Sequence, residues 1–335
     1  MTSAADPQRM PGYTDVPQAA TRLRSVAVRT PLLTSPELDA HLGARVLVKP
    51  ETLQRTGSFK FRGAYNRLST LREGGAPGGV VAYSSGNHAL GIAHAARLLD
   101  LPAIVVMPAD APETKREQTR AQGAEIRQYE RFFACRERIA AELAAERGAT
   151  VVKPYDDPAI IAGQGTVGLE LLQQTHEAGE NLDAILVCAG GGGLAAGTAL
   201  ACSALSPDTA VFTVEPAGHD DHARSLAAGR RISNDAATEP SICDALLAPT
   251  PGELTFAVNR DRLAGGLSAP DSAVRQAVRV AFEYLKLVVE PSGAVALAAA
   301  LREEIPGRPA TIGVILSGAN VDPEAHADLV SRRTS

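Results

Sequence analysis

Three short segments of the sequence place residues that could do chemistry at turns that could expose them. In the first, residues 56–63 (TGSFKFRG), Lys60 stands between Phe59 and Phe61. Most lysines are solvated surface residues, and on spacing alone that interpretation stays open. Aromatic neighbours can instead desolvate a lysine, and its amine then becomes a nucleophile for a carbonyl group.

The second segment is AGGGGL, whose four consecutive glycines are Gly190, Gly191, Gly192 and Gly193. It follows a strand-like run, residues 183–188 (DAILVC), and precedes a helix-like run that starts at Leu194. Glycines let the backbone N–H groups approach a ligand closely, and a helix N-terminus adds a field that favours an anion. The segment therefore predicts a phosphate-binding loop, whereas a merely flexible loop would rarely stand at such a junction.

The glycine run also fits a dinucleotide-binding pattern. Gly190, Gly192 and Ala195 match GxGxxG/A, and Glu215 ends the next strand-like run, where an acid for the ribose belongs. Taken alone, this turn keeps NAD binding open as a hypothesis. An NAD enzyme would leave Lys60 without a role.

The third segment is SSGNH, residues 84–88, between a strand-like run and a helix-like run. Its hydroxyl, amide and imidazole groups, together with helix-terminal N–H groups, suit a carboxylate or a phenolic oxygen. The alternative is simple capping of the following helix, which serine and asparagine do well.

The elements that must position these turns alternate along the chain. Strands are predicted at residues 45–49, 79–83, 103–107, 183–188, 210–215 and 311–316. Helices are predicted at 61–73, 87–99, 113–122, 136–147, 166–178, 194–205, 272–287 and 293–304. Continuous apolar strands alternating with helices predict an α/β fold, with parallel sheets covered on both faces. Residues 230–261 are interpreted as a long irregular surface excursion.

Composition excludes several classes of protein. The net charge of −5 argues against nucleic-acid binding. No apolar run reaches the roughly 20 residues of a membrane span, and the first twenty residues do not resemble a secretory signal. The four cysteines are widely spaced, which favours neither a disulfide framework nor a zinc cluster. We therefore expect a cytoplasmic protein.

With the three segments read together, the chain resembles the fold-type II pyridoxal-phosphate enzymes. It is most similar to the serine/threonine ammonia-lyases (threonine dehydratases) and serine racemase, over about residues 29–322. The motifs that carry the resemblance are KPETLQRTGSFKFRGAYN, SSGNH, AGGGGL and LSGANVD. The aldehyde of pyridoxal phosphate would use Lys60 as its Schiff-base partner, and its phosphate would use the glycine run.

The resemblance implies a role for each matched residue. Lys60 would be the cofactor lysine, Phe59 would pack on the cofactor ring, and Ser317 would contact the pyridine nitrogen. Asn87 would reach the phenolic oxygen of the cofactor. The substrate carboxylate would bind the SSGNH loop, of which the resemblance names Ser84, Ser85, Asn87 and His88.

The resemblance also implies the architecture and the assembly. Relatives have two open, twisted, mostly parallel sheets covered by helices, as in the β subunit of tryptophan synthase. Mapped onto this chain, residues 1–78 and 156–335 would form a large cofactor-binding domain. Residues 79–155 would form a small mobile domain that closes over the substrate and excludes water. A homodimer acting on a small amino acid is expected.

The implied reaction is β-elimination from a β-hydroxy amino acid such as L-threonine or L-serine, giving a 2-oxo acid and ammonia. Lys60 would remove the α-proton, and Ser85 matches the residue that can reprotonate the opposite face. Serine racemase and 3-hydroxyaspartate dehydratase activities are therefore alternatives. From other classes, an NAD-dependent dehydrogenase and a non-catalytic amino-acid-binding protein remain alternatives, although the latter would have no use for Lys60.

The chain departs from the family pattern at three places near the expected site. Leu90 stands where relatives usually carry glutamine, so a polar contact near the active site is missing. In SICDA, where relatives read TIADG, Cys243 and Ala245 replace an alanine and a glycine. LSGAN replaces LSGGN, a small change. Because the SICDA segment edges the pocket in relatives, the preferred substrate stays open. The family's regulatory extension is not expected after Asp322.

A second cofactor is a further expectation. Glu215, the carbonyl of His219 and Asp221, within EPAGHDD, resemble a divalent-cation site of some relatives. Oxygen ligands of this kind suit Mg²⁺ or Ca²⁺. The alternative is a solvated acidic start of a helix.

Overall fold

The computed structural model describes residues 9–75, 78–111, 113–130, 135–235 and 237–331. Nine strands form two sheets within these ranges, and all strand pairs in both sheets are parallel. The strands are β1 (Arg45–Pro50), β2 (Val80–Tyr83), β3 (Ala103–Pro108), β4 (Glu125–Tyr129), β5 (Thr150–Val152), β6 (Ala184–Cys188), β7 (Ala210–Pro216), β8 (Gly265–Ala269) and β9 (Thr311–Leu316). One sheet has the order β1-β9-β6-β7-β8, and the other has the order β4-β3-β2-β5.

Thirteen α-helices lie within the same ranges and cover the sheets. They are α1 (Asp15–Leu23), α2 (Pro36–Leu42), α3 (Lys60–Glu73), α4 (Asn87–Leu98), α5 (Glu113–Ala121), α6 (Arg136–Arg147), α7 (Pro158–Glu177), α8 (Gly193–Leu205), α9 (Asp221–Ala228), α10 (Glu253–Arg260), α11 (Asp271–Val280), α12 (Pro291–Ala300) and α13 (Pro323–Ser331). No described helix is long and apolar enough to cross a membrane.

The predicted α/β class is confirmed, and so is the layout of two parallel sheets covered by helices. The central strand β6 is buried at every residue, as expected of a strand covered on both faces. A large core surrounds the five-stranded sheet, while two smaller cores lie around the four-stranded sheet.

Three strands were not predicted because their sequences are not continuous apolar runs. β4 (EIRQY) is a largely exposed edge strand, β5 has only three residues, and β8 (GGLSA) is an edge strand that contains two glycines. Edge and short strands bury little surface, so their hydrophobic pattern is weak.

The helix predictions differ from the structure in several places. Besides α10, four helices were not predicted, namely α1, α2, α9 and α13. The prediction at 272–287 is too long, because α11 ends at Val280 and a π-helical turn, Ala281–Leu285, follows it. The prediction at 166–178 is too short, because α7 begins at Pro158, where Asp157 caps the helix by accepting from two backbone N–H groups. The interpretation of residues 230–261 as irregular is wrong for α10. Its residues Thr255, Phe256 and Val258 are buried on one face, and they anchor the helix against α8.

Helices α7 and α8 pack unusually closely, which fixes the glycine run at the start of α8. A Cβ atom at Gly165 would lie 2.8 Å from the carbonyl oxygen of Gly197, so only glycine permits this approach. The strands β2 to β5 of the smaller sheet all lie within residues 79–155, the predicted small domain. The division into a large and a small mobile domain stays a prediction, and its ends at 1–8 and 332–335 lie outside the described residues.

Candidate active site

All three chemistry-bearing segments line one cavity of about 210 Å³. It lies beyond the carboxyl ends of β2, β6 and β9, where open α/β sheets usually bind ligands. The cavity brings together every predicted cofactor and substrate residue: Phe59, Lys60, Ser84, Ser85, Asn87, His88, Gly190, Gly191, Gly192, Gly193 and Ser317.

Lys60 is the first residue of α3, and its amine is turned into the cavity instead of into solvent. Its Nζ donates to the carbonyl oxygen of Pro154 at 2.8 Å and lies 5.1 Å from the centre of the Phe59 ring. No carboxylate of the described residues pairs with it, and burial lowers the pKa of Lys60 to about 8. The amine is therefore neutral in a substantial fraction of molecules near pH 8, as a nucleophile requires.

The backbone that carries Lys60 is held by a buried ionic network around Arg62. The guanidinium of Arg62 is fully buried and lies 2.7 Å from a carboxylate oxygen of Glu51 and 2.7 Å from one of Glu170. Glu170 also pairs with buried Lys49 at 2.7 Å. This network ties α3 to α7 and to the segment after β1. The sequence analysis missed it because its members are far apart along the chain.

The SSGNH turn does not use its polar side chains to cap α4. The N-cap residue is Gly86, and no side chain caps that end of the helix. The hydroxyl of Ser84 instead accepts from the N–H of Gly86 at 3.2 Å, within the turn. Ser85 and Asn87 are half-buried and line the cavity. The capping alternative is therefore not the explanation for this segment.

His88 is buried and uncharged. Its Nε2 donates to the carbonyl oxygen of Val152 at 3.2 Å, because a carbonyl can only accept. Burial, and then the charge of Lys60, lower the pKa of His88 to about 3. Its Nδ1 is buried without a hydrogen-bond partner among the described residues. This ring is thus a neutral wall of the cavity.

The glycine run is held by α10. The carbonyl oxygen of Gly191 accepts from the Thr255 hydroxyl at 2.6 Å and from the Gly252 N–H at 3.3 Å. The carbonyl oxygen of Gly192 accepts from Ala196 within α8. Since these carbonyl groups are engaged on the α8 and α10 side, the N–H groups of the loop remain for a ligand in the cavity.

The glycine run also has no room for side chains. A Cβ atom at Gly191 would lie 2.3 Å from the ring of Tyr155, and one at Gly192 would lie 2.4 Å from the ring of His222. Gly192 has a φ of +90°, which side chains rarely tolerate. The loop is therefore a tight anion cradle at the N-terminus of α8.

Ser317 follows β9 and is anchored next to Lys60. The carbonyl oxygen of Ser317 accepts from the N–H of Phe59 at 3.1 Å. Its hydroxyl also interacts with the thiol of Cys188, whose pKa burial raises to about 11. Because of this raised pKa, the thiol is protonated at neutral pH. Cys188 ends β6 and lines the cavity.

The predicted cation site is buried, although the described residues contain no cluster of three or more His, Cys, Asp or Glu side chains arranged for a metal. Glu215 accepts from the backbone N–H groups of His222 and Ala223 at 2.8 and 2.9 Å. Asp221 Oδ2 is buried without a partner, and burial raises the pKa of Asp221 to about 6. An unpaired buried oxygen beside a second carboxylate fits a cation, so Mg²⁺ or Ca²⁺ here stays a prediction.

Glu215 has no exposed surface and serves the N-terminus of α9. A ribose could not reach it without unfolding this helix end. Glu215, the acid that the dinucleotide hypothesis assigned to a ribose, therefore caps α9 instead.

The cavity contains further residues that the sequence analysis did not single out. They are Tyr83, Lys115, Arg136, Pro154, Tyr155, Asp244, Leu246, Leu247, Ala248, Glu290 and Ser292. Of the departures from the family pattern, Ala245 lines this cavity, whereas Cys243 is buried and does not line it. Leu90 lines a wider neighbouring cavity of about 960 Å³. For Glu290 the sequence did offer a signal. Pro291, the next residue, is typical of the first position of a helix, and α12 begins there.

Known proteins resemble this chain over nearly its whole length. Residues 23–318 match the family described as pyridoxal-phosphate dependent enzymes. L-threo-3-hydroxyaspartate ammonia-lyase of a Pseudomonas species is 45% identical over 96% of this chain and 99% of its own length. Serine racemase of Schizosaccharomyces pombe is 38% identical over 96% of this chain and 98% of its own. The crystal structure of the T.th. threonine deaminase superimposes with a TM-score of 0.87, at 45% identity over 93% of this chain and 99% of that one.

The chain belongs to the pyridoxal-phosphate dependent enzymes, and its cofactor is pyridoxal phosphate. It is an enzyme of the ammonia-lyase type within that family. Two observations of the site fit this cofactor: a desolvated lysine without a carboxylate partner, and a glycine cradle that any Cβ atom would fill. The same family membership sets aside the dinucleotide hypothesis.

Proposed function

We propose that this enzyme eliminates the β-hydroxyl group of a β-hydroxy amino acid and releases ammonia and a 2-oxo acid, with 3-hydroxyaspartate as the preferred substrate. The observation that carries the preference is a cationic side chain in the cavity besides Lys60 and Lys115, the guanidinium of Arg136. A substrate with two carboxylates needs a cation in addition to the loop that binds the first one. The relatives include two proteins named L-threo-3-hydroxyaspartate ammonia-lyase, at 45% and 43% identity.

Arg136 is better placed than Lys115 to meet a second carboxylate. Both side chains already have an ionic partner: the Lys115 ammonium lies 3.7 Å from the carboxylate of Asp244, and Arg136 Nε lies 3.0 Å from that of Glu137. Lys115 has a single charged nitrogen, whereas Arg136 makes its pair through Nε and lies over the Tyr83 ring, 5.5 Å from its centre. Its other guanidinium nitrogens remain for a bidentate contact with a carboxylate.

The residues of the cavity support the following division of work. Bound pyridoxal phosphate supplies an aldehyde that attaches amines covalently and a ring that spreads negative charge. Lys60 would hold the cofactor at rest and, once freed by the substrate amine, remove the α-proton. The glycine run would hold the phosphate, Asn87 the phenolic oxygen and Ser317 the pyridine nitrogen. The turn 84–88 would hold the α-carboxylate through its polar groups and the start of α4.

The neutral groups around this site favour prompt elimination. Ser317 is a hydroxyl, which would not keep a pyridine nitrogen protonated as a carboxylate would. His88 is neutral because burial lowers its pKa. Neither group would therefore add positive charge to the site, so loss of the β-hydroxyl as water would follow soon after Lys60 takes the α-proton.

Substitution of Arg136 tests the substrate preference. We expect Arg136→Ala to lower kcat/KM for L-threo-3-hydroxyaspartate about a hundredfold, since a hydrogen-bonded charged pair contributes about 1.5–3 kcal/mol. Activity on L-serine and L-threonine should change less than about threefold. The measurement is ammonia release from each substrate. Arg138→Ala is the matched control, because Arg138 is an exposed arginine on the same helix. Equal losses on all three substrates would contradict the assignment of Arg136 to the second carboxylate.

Racemisation is a second candidate activity, supported by a specific feature of the cavity. Ser85 and Lys60 line the same cavity from different elements, and inversion of the α-carbon needs one group on each face. Ser85 also stands beside the start of α4, where a developing alkoxide would be stabilised. Relatives named serine racemase share 36% to 40% identity with this chain.

We expect Ser85→Ala to remove racemase activity and any action on D-serine, while L-serine dehydration keeps most of its rate. Elimination needs Lys60 and the carboxylate loop, whereas inversion also needs the second acid. A chiral assay of both enantiomers measures the two activities separately. Ser84→Ala removes another hydroxyl of the proposed carboxylate loop, so it shows how a weakened loop alone affects the two activities, and its losses of dehydration and racemisation should be equal. Equal losses of dehydration and racemisation in Ser85→Ala would assign Ser85 to binding alone.

The assembly and location are part of the proposal. We propose a homodimer, because nearly half-exposed apolar side chains such as Phe282 and Val288 are typical of an interface. A cytoplasmic location is supported by four free cysteines, three of them buried.

A further inference from the structure

The side-chain amide of Asn87 is held from both ends by residues that lie more than 200 positions away. Its Oδ1 accepts from Nδ2 of Asn320 at 2.7 Å. Its Nδ2 donates to Oε1 of Glu290 at 2.6 Å. Glu290 is buried and Asn87 is half-buried, so water does not substitute freely for these partners.

The direction of this chain of hydrogen bonds is set by a backbone carbonyl. Nδ2 of Asn320 also donates to the carbonyl oxygen of Thr56 at 2.7 Å. A carbonyl can only accept, so Asn320 must turn its NH₂ group toward both Thr56 and Asn87. If the Asn87 amide were reversed, two NH₂ groups would face each other and its oxygen would face the Glu290 carboxylate. Only one orientation of the Asn87 amide is therefore satisfied.

Both holding residues are anchored to the loops that carry Lys60 and Ser317. The N–H of Ala319 donates to Gly57 at 2.9 Å, and the N–H of Glu290 donates to Gly318 at 3.1 Å. A Cβ atom at Gly57 would lie 2.6 Å from Oδ1 of Asn320, and one at Gly318 would lie 2.2 Å from Oε1 of Glu290. The two loops thus leave little freedom to the side chains of Asn320 and Glu290.

We infer that Asn320 and Glu290 are positioning residues, which fix the Asn87 amide so that it presents an N–H group, and never its oxygen, to the phenolic oxygen of the cofactor. The NH₂ group has two hydrogens, and the bond to Glu290 uses one. The second hydrogen remains for the cavity that Asn87 lines. This inference rests on the proposed contact of Asn87 with the cofactor. An N–H donor stabilises a negatively charged phenolic oxygen, whereas an amide oxygen would repel it.

Cofactor binding without any substrate tests the inference. The purified apo-forms of Asn320→Ala, Asn320→Asp and Glu290→Gln are titrated with pyridoxal phosphate, and affinity and visible absorption are recorded. We expect Asn320→Ala to weaken affinity about tenfold and to move the absorption band, because the amide loses its fixed orientation. Asn320→Asp should weaken cofactor affinity more, since its carboxylate would be repelled by the oxygens of Thr56 and Asn87. Glu290→Gln keeps an acceptor for Asn87 and should stay close to wild type.

The controls separate a positioning role from general destabilisation. Asn66→Ala removes another buried amide, which does not line this cavity. Its Nδ2 donates to the carbonyl oxygen of Ala159, and the two atoms are 2.7 Å apart. It should lower the melting temperature without moving the absorption band. The inference is overturned if both Asn320 variants keep the absorption band and the cofactor affinity of wild type. It is also overturned if Glu290→Gln loses as much cofactor affinity as Asn320→Asp. If Asn87→Ala also binds the cofactor like wild type, the failure lies in the proposed contact of Asn87 itself.

Discussion

Lys60→Ala is expected to release ammonia from every β-hydroxy amino acid at less than about one-thousandth of the wild-type rate. The substitution removes the amine that would attach the cofactor and the base that would take the α-proton. A positioned general base alone contributes about 10²- to 10⁴-fold, and covalent attachment adds to this. No other lysine of the described cavity can replace it, because Lys115, which also lines the cavity, is paired with Asp244.

The fold should survive the loss of Lys60. Among the described residues the amine makes one hydrogen bond, to Pro154. Its burial disfavours the charged form, which lowers the pKa of Lys60 to about 8. We therefore expect the melting temperature of the apo-protein to change by less than about 4 °C. Lys153→Ala is the matched control, since Lys153 is an exposed lysine beside the same proline.

Three measurements decide the outcome for Lys60. Ammonia release gives the rate, differential calorimetry gives the stability, and the visible absorption band reports the lysine-bound cofactor. In wild type, borohydride should abolish that band by reducing the bond between lysine and cofactor. The assignment of Lys60 fails if the variant keeps more than a few per cent of the activity while retaining a borohydride-sensitive band.

Gly191→Asp is expected to weaken retention of pyridoxal phosphate at least about a hundredfold. Two effects act together at this position. Any side chain would have to displace the ring of Tyr155, which lies 2.3 Å from the site of a Cβ atom. A carboxylate would also repel the phosphate, and two like charges about 4 Å apart interact by about 4 kcal/mol at an effective dielectric of about 20.

A series of variants separates these two effects. Gly191→Ala introduces the steric conflict without the charge, so its loss of affinity should be smaller than that of Gly191→Asp. Gly12→Ala is the control for a glycine substitution, because a Cβ atom there would meet nothing within 4 Å. Equilibrium dialysis of the cofactor gives the affinities. If Gly191→Asp holds the cofactor as tightly as wild type, the glycine run does not bind the phosphate.

Local sequence patterns determined the fold class and the three turns of the site. The runs of β6 and β9 are mostly apolar, and β1 is apolar over residues 46–48, so their parallel pairing followed from composition and alternation with helices. The turn at Ser85, the lysine at 60 and the glycine run each lie within a few residues of a strand end or helix start. Short-range features of this kind are visible because each lies where a strand ends or a helix begins. The turn 84–88 follows β2 of the four-stranded sheet, and the glycine run follows β6 of the five-stranded sheet.

Weak elements escaped the sequence patterns for a related reason. The edge strands β4 and β8 bury few side chains, and α10 lies in a segment without a clear helical repeat. Their formation depends on surfaces offered by other parts of the chain. For α10, the surface is α8 and the glycine loop that it holds through Thr255.

Only the tertiary structure decided which distant side chains complete the site. Asn87 is 203 residues from Glu290 and 233 residues from Asn320, yet hydrogen bonds join all three. Arg136 is an exposed residue at the start of α6, and no local sequence pattern indicates that it lines a cavity. Such contacts arise where loops from separate strands meet, and packing of the two sheets sets the distances. The sequence thus determined the chemistry that this protein can attempt, while packing decided the orientation of the groups that would direct it.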